Sequence, residues 1–144
     1  MEKIKYDWYE DTNCARCTIY YNNEEFIGQA FCHPDDEDMC SKLAGQTIAE
    51  FRACIQVLKY KRDCEIIPAL KALKQLHYSI NKSKQYNKKS YESRMLYRQI
   101  QNYEADLKNI REDLAKIRQA LNSYINLKEQ YYQFLRNRRQ AKAN

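Results

Sequence analysis

The chain has 144 residues, a formal net charge of +6, 44% apolar and 31% charged residues, and only two Gly and two Pro. That is one domain's worth of chain, with enough apolar content for a core. It is too poor in turn residues for an all-β fold or a disordered linker, and no apolar run approaches the ~18 to 20 residues of a membrane-spanning helix. The N-terminus, MEKIKYDWYED, has no apolar signal-peptide core, so the expectation is a soluble cytosolic protein.

The first third reads as strands. Ile4–Tyr9 alternates in character. Cys17–Tyr21 and Phe26–Cys32 are rich in β-branched and aromatic residues, with Asn22-Asn23 as the turn between them. A three-stranded antiparallel sheet over residues 1–33 is the economical arrangement. Six cysteines, at 14, 17, 32, 40, 54 and 64, accompany it without a secretion signal, so a disulfide framework is not expected. Cys14-Ala-Arg-Cys17 followed by Cys32-His33 has the donors of a tetrahedral zinc site. Against zinc, Cys17 opens a strand and no second tight CxxC exists, so no metal site is assigned. Cys54 and Cys64 read as small core residues on helices.

Pro34 is expected to start a helix, with Asp35, Asp36, Glu37 and Asp38 at the positive end of its dipole. That preference explains the acidic run more simply than a cation site does. Ala44, Ile48, Phe51, Ile55 and Leu58 share one helical face, expected to cover the sheet. Gly45 within this helix costs about 1 kcal/mol relative to Ala, which points to close packing there. Asp63 and Pro68 suggest a break or kink. A second helix follows from about Pro68 to Ile80, with Leu70, Leu73 and Leu76 on its face, so helices occupy 34–80. Residues 81–89, NKSKQYNKK, form a polar basic connector. Ser90 can cap what comes next.

Leu96, Ile100, Tyr103, Leu107, Ile110, Leu114, Ile117 and Leu121 keep an unbroken 3-4 rhythm, and the beat continues through Tyr124, Lys128, Tyr131 and Leu135. This is one face of a long helix with a coiled-coil seam, over 90–139. Such a rod is on the order of 70 Å long at ~1.5 Å per residue. A small domain cannot bury it alone, so it folds back on another helix or pairs with another chain. The tail RNRRQAKAN is expected to fray. The fold class is therefore α+β in a single domain: a small antiparallel sheet with a covering helix, then a helical hairpin or a long coiled-coil-like C-terminal helix.

Charge is segregated. Residues 1–49 carry a net −6, residues 50–89 a net +7 and residues 90–144 a net +5. The acidic head and basic body can attract each other, and the basic part can hold a phosphate-bearing partner; a solvated helical face is the plain alternative. Enzyme signatures are absent: no GxSxG, P-loop, GxGxxG or HExxH, and the two histidines, His33 and His77, read as structural. The segment Tyr78 to Arg98 is richer. It holds Tyr78, Asn81, Lys82, Asn87, Tyr91, Arg94, Tyr97 and Arg98. Aromatic faces stack on bases, amides pair with base edges, and Arg grips phosphate through a planar fork. These are the parts of a nucleotide pocket, near a helix N-terminus that also favours anions. A basic, tyrosine-rich helix junction that only packs is the alternative. Two functions remain: a binding protein for a small phosphorylated nucleotide, and a basic helical interaction protein that blocks a nucleic-acid or protein partner.

The order of features resembles one family. A short sheet ends in GQAFCHPDDED, a helix carries GQTIAEFRA, and IIPALKALKQLHYSINKSK, NKKSYESRMLYRQI and a long helix follow. This is similar to the phage anti-Thoeris sponge family, over roughly residues 4–139. The resemblance implies a non-enzymatic anti-defence protein without a cofactor, working in the cytoplasm of the infected bacterial host. It implies sequestration of a cyclic ADP-ribose isomer made by bacterial TIR-domain proteins, in some members also of cyclic oligonucleotides. It further implies sites between the subunits of a dimer or hexamer, built from an aromatic residue, an Asn and Arg side chains. The residues that fit these roles are Tyr78 for base stacking, Asn87 for the base edge and Arg52, Arg94 and Arg98 for the pyrophosphate, with Tyr91 beside them.

Overall fold

The structure, a computed structural model, describes residues 3–32, 41–82 and 91–143. Its element order is β1 (Lys3–Tyr9), β2 (Cys14–Tyr21), β3 (Glu24–Phe31), α1 (Lys42–Tyr60), a π-helical turn (Lys61–Ile66), α2 (Ile67–Lys82) and α3 (Tyr91–Ala143). The fold is α+β, as the sequence pattern indicates. Two compact units divide the chain: Met1–Val57 with Ala115–Asn144, and Leu58–Leu114.

In the first unit the strands form an antiparallel sheet in the order β1-β2-β3. Asn22 and Asn23 both have positive φ, 52° and 61°, in the two-residue loop between Tyr21 and its partner Glu24. This is the mirror-type turn whose twist matches a hairpin, and Asn tolerates it. The register pairs Cys17 with Tyr6 and with Gly28, and Ala15 with Trp8 and with Ala30. Side chains alternate across a sheet, so Trp8, Ala15, Cys17, Gly28 and Ala30 face one way. α1 lies on that face: a Cβ built on Gly45 would sit 3.1 Å from the Ala15 Cβ, and one on Gly28 would meet the backbone of Ala49 and Ala53.

The sheet is thus covered through small residues of α1, and the expected face is corrected. Gly45, Ala49 and Ala53, spaced by four, approach the strands. Phe51 instead meets Tyr124 of α3, with ring centroids 6.4 Å apart. The Ser41 hydroxyl accepts a hydrogen bond from the Ala44 amide at 3.1 Å and caps α1, which starts at Lys42. The expected start at Pro34 and its acidic first turn lie outside the described residues, as do Ser83 to Lys89 and the Ser90 cap. Asn81 and Lys82, expected in the connector, close α2.

The CxxC pair sits within β2, and residues three apart in a strand point to opposite faces. Cys14 and Cys17 therefore do not converge on one ion. Both are buried free thiols, and Cys64, expected in a core, is exposed; Cys32 is disulfide-bonded. Burial pushes the Cys17 thiol up to about 11, with the nearby Glu50 charge and Cys54 adding to the rise, so it stays protonated.

In the second unit the expected break at Asp63 and Pro68 appears as the π-helical turn. Pro68 has no N–H to give the carbonyl of Cys64 and its ring crowds that group, and one wide turn accommodates both without ending the helix. Across the two units, α3 spans 53 residues. Its inward positions follow the 3-4 rhythm, with Ile100, Leu114 and Leu121 buried. At the far end the register differs from the expected one: Tyr132 is buried at 5% while Tyr131 is 59% exposed. A step of four from Lys128 reaches Tyr132, and its hydroxyl meets the Ser41 amide at 3.4 Å.

Candidate functional site

The candidate site is a cleft in the second unit between α2 and the first turns of α3. On α2 the inward row is Leu70, Leu73 and His77; Leu76, expected there, is 49% exposed. The row is apolar until His77, where it turns polar. The Ser93 hydroxyl, in a residue only 3% exposed, donates to the Asn81 carbonyl oxygen at 2.9 Å. The Asn81 amide nitrogen stands 3.2 Å from His77 Nε2, and Ser93 Oγ stands 3.4 Å from the same nitrogen. A buried polar group without a partner costs about 1–3 kcal/mol, and this triangle meets that demand across the helix pair. The three groups together tie the end of α2 to the start of α3.

Beside the triangle the cleft opens. Lys74, Tyr78 and Lys82, one turn apart on α2, line one wall; Tyr97 and Ile100 of α3 line the other. Tyr78 is 60% and Tyr97 54% exposed, while Ile100 at 7% forms the floor. The Lys82 ammonium lies 4.8 Å from the centre of the Tyr78 ring. The His77 and Tyr97 rings are 6.2 Å apart. At the other end Lys74 pairs with Glu104 of α3 at 3.0 Å. The cleft thus has aromatic walls, an ammonium at the end near the α3 N-terminus, and an ammonium–carboxylate pair at the opposite end. Flat, anionic molecules are what such walls bind.

Of the residues expected at a site, Tyr78 is in this cleft. Tyr91, Arg94 and Arg98, spaced three and four apart, share one exposed face of the first turns of α3. Arg52 belongs to the first unit, where its guanidinium donates to the Gln29 carbonyl at 2.6 Å and lines a small recess with Trp8, Lys128 and Tyr132. Asn87 lies outside the described residues. Asn81, Lys82 and Tyr97, also among the pocket parts read from the sequence, line the cleft as well; Lys74 completes it without having been singled out, and Glu104 pairs with Lys74. The Lys74–Tyr78–Lys82 spacing was visible in the sequence; which α3 residues oppose it depends on the register of the helix pair.

A scan of protein-family models, a search of curated proteins and a search of solved structures return no match to this chain.

Proposed function

We propose that the protein binds a small cyclic nucleotide signal, in the first instance a cyclic ADP-ribose isomer, and sequesters it without degrading it. The observation that carries this reading is the cleft: two half-exposed tyrosines, Tyr78 and Tyr97, flanked by the Lys82 ammonium on a polar, hydrogen-bonded base. Base stacking on an aromatic ring is worth about 1–3 kcal/mol, and a cation beside it adds hold on phosphate. The resemblance to the phage anti-Thoeris sponges supplies the biological setting. In that setting the ligand is withheld from an immune effector in the host cytoplasm, with no catalysis required.

A sponge works when its sites match the signal in number and release is slow. Assembly into a dimer or hexamer serves both ends, because a pocket closed by a second chain excludes water and strengthens charged hydrogen bonds. Tyr91, Arg94 and Arg98 are available for that closure. Cyclic oligonucleotides are the next ligand class. No helix of the described residues is long and apolar enough to cross a membrane.

The test is calorimetric titration with a cyclic ADP-ribose isomer made by a TIR enzyme, followed by heating and recovery of the ligand. Saturable binding with the ligand returned unchanged is the expected result. No heat and no thermal stabilisation exclude that isomer, since a ligand held by the native state alone must raise the melting temperature. A second reading, a protein that blocks a macromolecular partner, rests on Leu127, Tyr131 and Phe134. These lie on one face of α3, 58–64% exposed, in a basic segment.

A further inference from the structure

Lys74 lines the end of the cleft opposite Lys82 and pairs there with Glu104 of α3. From Lys74 to Lys82 is eight residues, a rise of about 12 Å along the helix. A nucleotide laid along that length puts its phosphate at one end and the edge of its base at the other. Lys82, near the α3 N-terminus, is the phosphate end. The base then stacks on Tyr78 and Tyr97 and presents its edge to Lys74 and Glu104.

That pair is a donor beside an acceptor, with Nζ and Oε1 3.0 Å apart. Adenine's edge is the complement: an exocyclic amino donor beside a ring-nitrogen acceptor. A carboxylate has room for about four hydrogen bonds, so pairing with one ammonium leaves capacity for the amino group. Both side chains are about half exposed, at 54% and 49%, and within reach of a ligand. We infer that Glu104, held by Lys74, reads the exocyclic amino group of the bound base and makes the cleft selective for amino-bearing bases such as adenine. The inference rests on the cleft being a nucleotide site.

The experiment compares adenosine 5′-monophosphate with purine riboside 5′-monophosphate, which differs only in lacking the amino group. Binding is followed through the tyrosine ring signals in NMR titrations of the full chain. Wild type is expected to prefer the adenosine compound by about tenfold, the scale of a hydrogen bond to a charged group. Glu104→Gln should shrink that preference to about twofold, mainly by weakening the adenosine compound, because a neutral acceptor makes the weaker bond. Equal binding of the two compounds by wild type, or an unchanged ratio in Glu104→Gln, overturns the inference. If the TIR-made cyclic isomer binds tightly and Glu104→Gln binds it equally well, the amino-reading role falls while the sponge reading stands. If neither monophosphate nor the cyclic isomer binds, the inference falls together with the cyclic ADP-ribose isomer as the ligand.

Discussion

Gly28→Ala tests how the sheet is covered. The added methyl would lie within contact distance of the Ala49 carbonyl oxygen and the Ala53 amide nitrogen, and 3.0 Å from the Arg52 Cβ. Two of these three obstacles are helix backbone, so no side-chain rotation relieves the clash. α1 must move off the sheet over the Ala49–Ala53 contact, or the strand must bend. Ordinary overpacking costs about 1–3 kcal/mol. Here a gap of 0.5–1 Å would also open around the contact, and a gap of about that size forfeits a quarter to a half of each dispersion contact. The expected loss is therefore about 3–5 kcal/mol, a large share of a net stability of about 5–15 kcal/mol. At this chain length that lowers the melting temperature by roughly 10 °C. Gly45→Ala is the control. Its methyl would face side chains, the Ala15 Cβ at 3.1 Å and Trp8 at 3.5 Å, and the gain in helix propensity of about 1 kcal/mol opposes the crowding. Thermal unfolding followed by circular dichroism at one protein concentration reads both variants. If Gly28→Ala melts within about 2 °C of wild type, α1 does not rest on the sheet as described.

Tyr78→Ala should weaken nucleotide binding by about 1–3 kcal/mol in a calorimetric titration. It should leave the melting temperature nearly unchanged, because the ring is 60% exposed; an equal loss of fold would assign Tyr78 to packing instead. The Cys17 thiol, pushed from 9.0 to about 11, holds its proton more tightly when folded. Stability from this group is complete below pH 9 and declines as pH rises through 9 toward 11, which urea unfolding across that range measures. A maleimide at pH 8 should modify exposed Cys64 long before buried Cys17, and comparable rates would contradict the burial. Tyr132→Ala should cost about 3–5 kcal/mol as a buried aromatic, whereas Tyr131→Ala should stay within about 1 kcal/mol, so equal effects in urea unfolding would refute the tail register.

Where the sequence speaks through spacing, it speaks accurately. The alternation of β-branched and aromatic residues and the Asn22-Asn23 pair mark the three strands and their hairpin, and the 3-4 rhythm marks α3 as far as Lys128. It misleads where a contact is made by small residues. A search for large apolar side chains places Phe51 in the sheet-facing stripe of α1, where it meets Tyr124 instead. The strands in fact accept Gly45, Ala49 and Ala53, because only residues this short let a helix backbone approach Gly28. The CxxC spacing is set aside in the sequence because Cys17 opens a strand, and β2 contains it. Such spacing signals chelation on a loop or turn, and in β2 the same spacing separates the thiols. Beyond Lys128 the rhythm permits a step of three or four, and only the partner across the seam, Ser41, selects Tyr132 over Tyr131.

The site follows the same division. Tyr78 is visible from composition and context, but the opposing wall depends on how two helices align. That alignment is fixed by polar groups. A seam of leucines tolerates a slip of one turn, about 5.4 Å, with modest loss, since one leucine replaces another. The Asn81–Ser93 bond does not tolerate it, because the slip leaves a buried hydroxyl and an amide without partners, and the Lys74–Glu104 pair would be drawn apart as well. These two links lie at opposite ends of the cleft. Between them they hold Tyr78 opposite Tyr97, so both rings face the same opening. Filling the triangle with apolar residues would strengthen packing and loosen register, and the two aromatic walls would no longer be obliged to meet. The polar interruption of the seam and the aromatic cleft are therefore one feature: the first sets the geometry that the second needs.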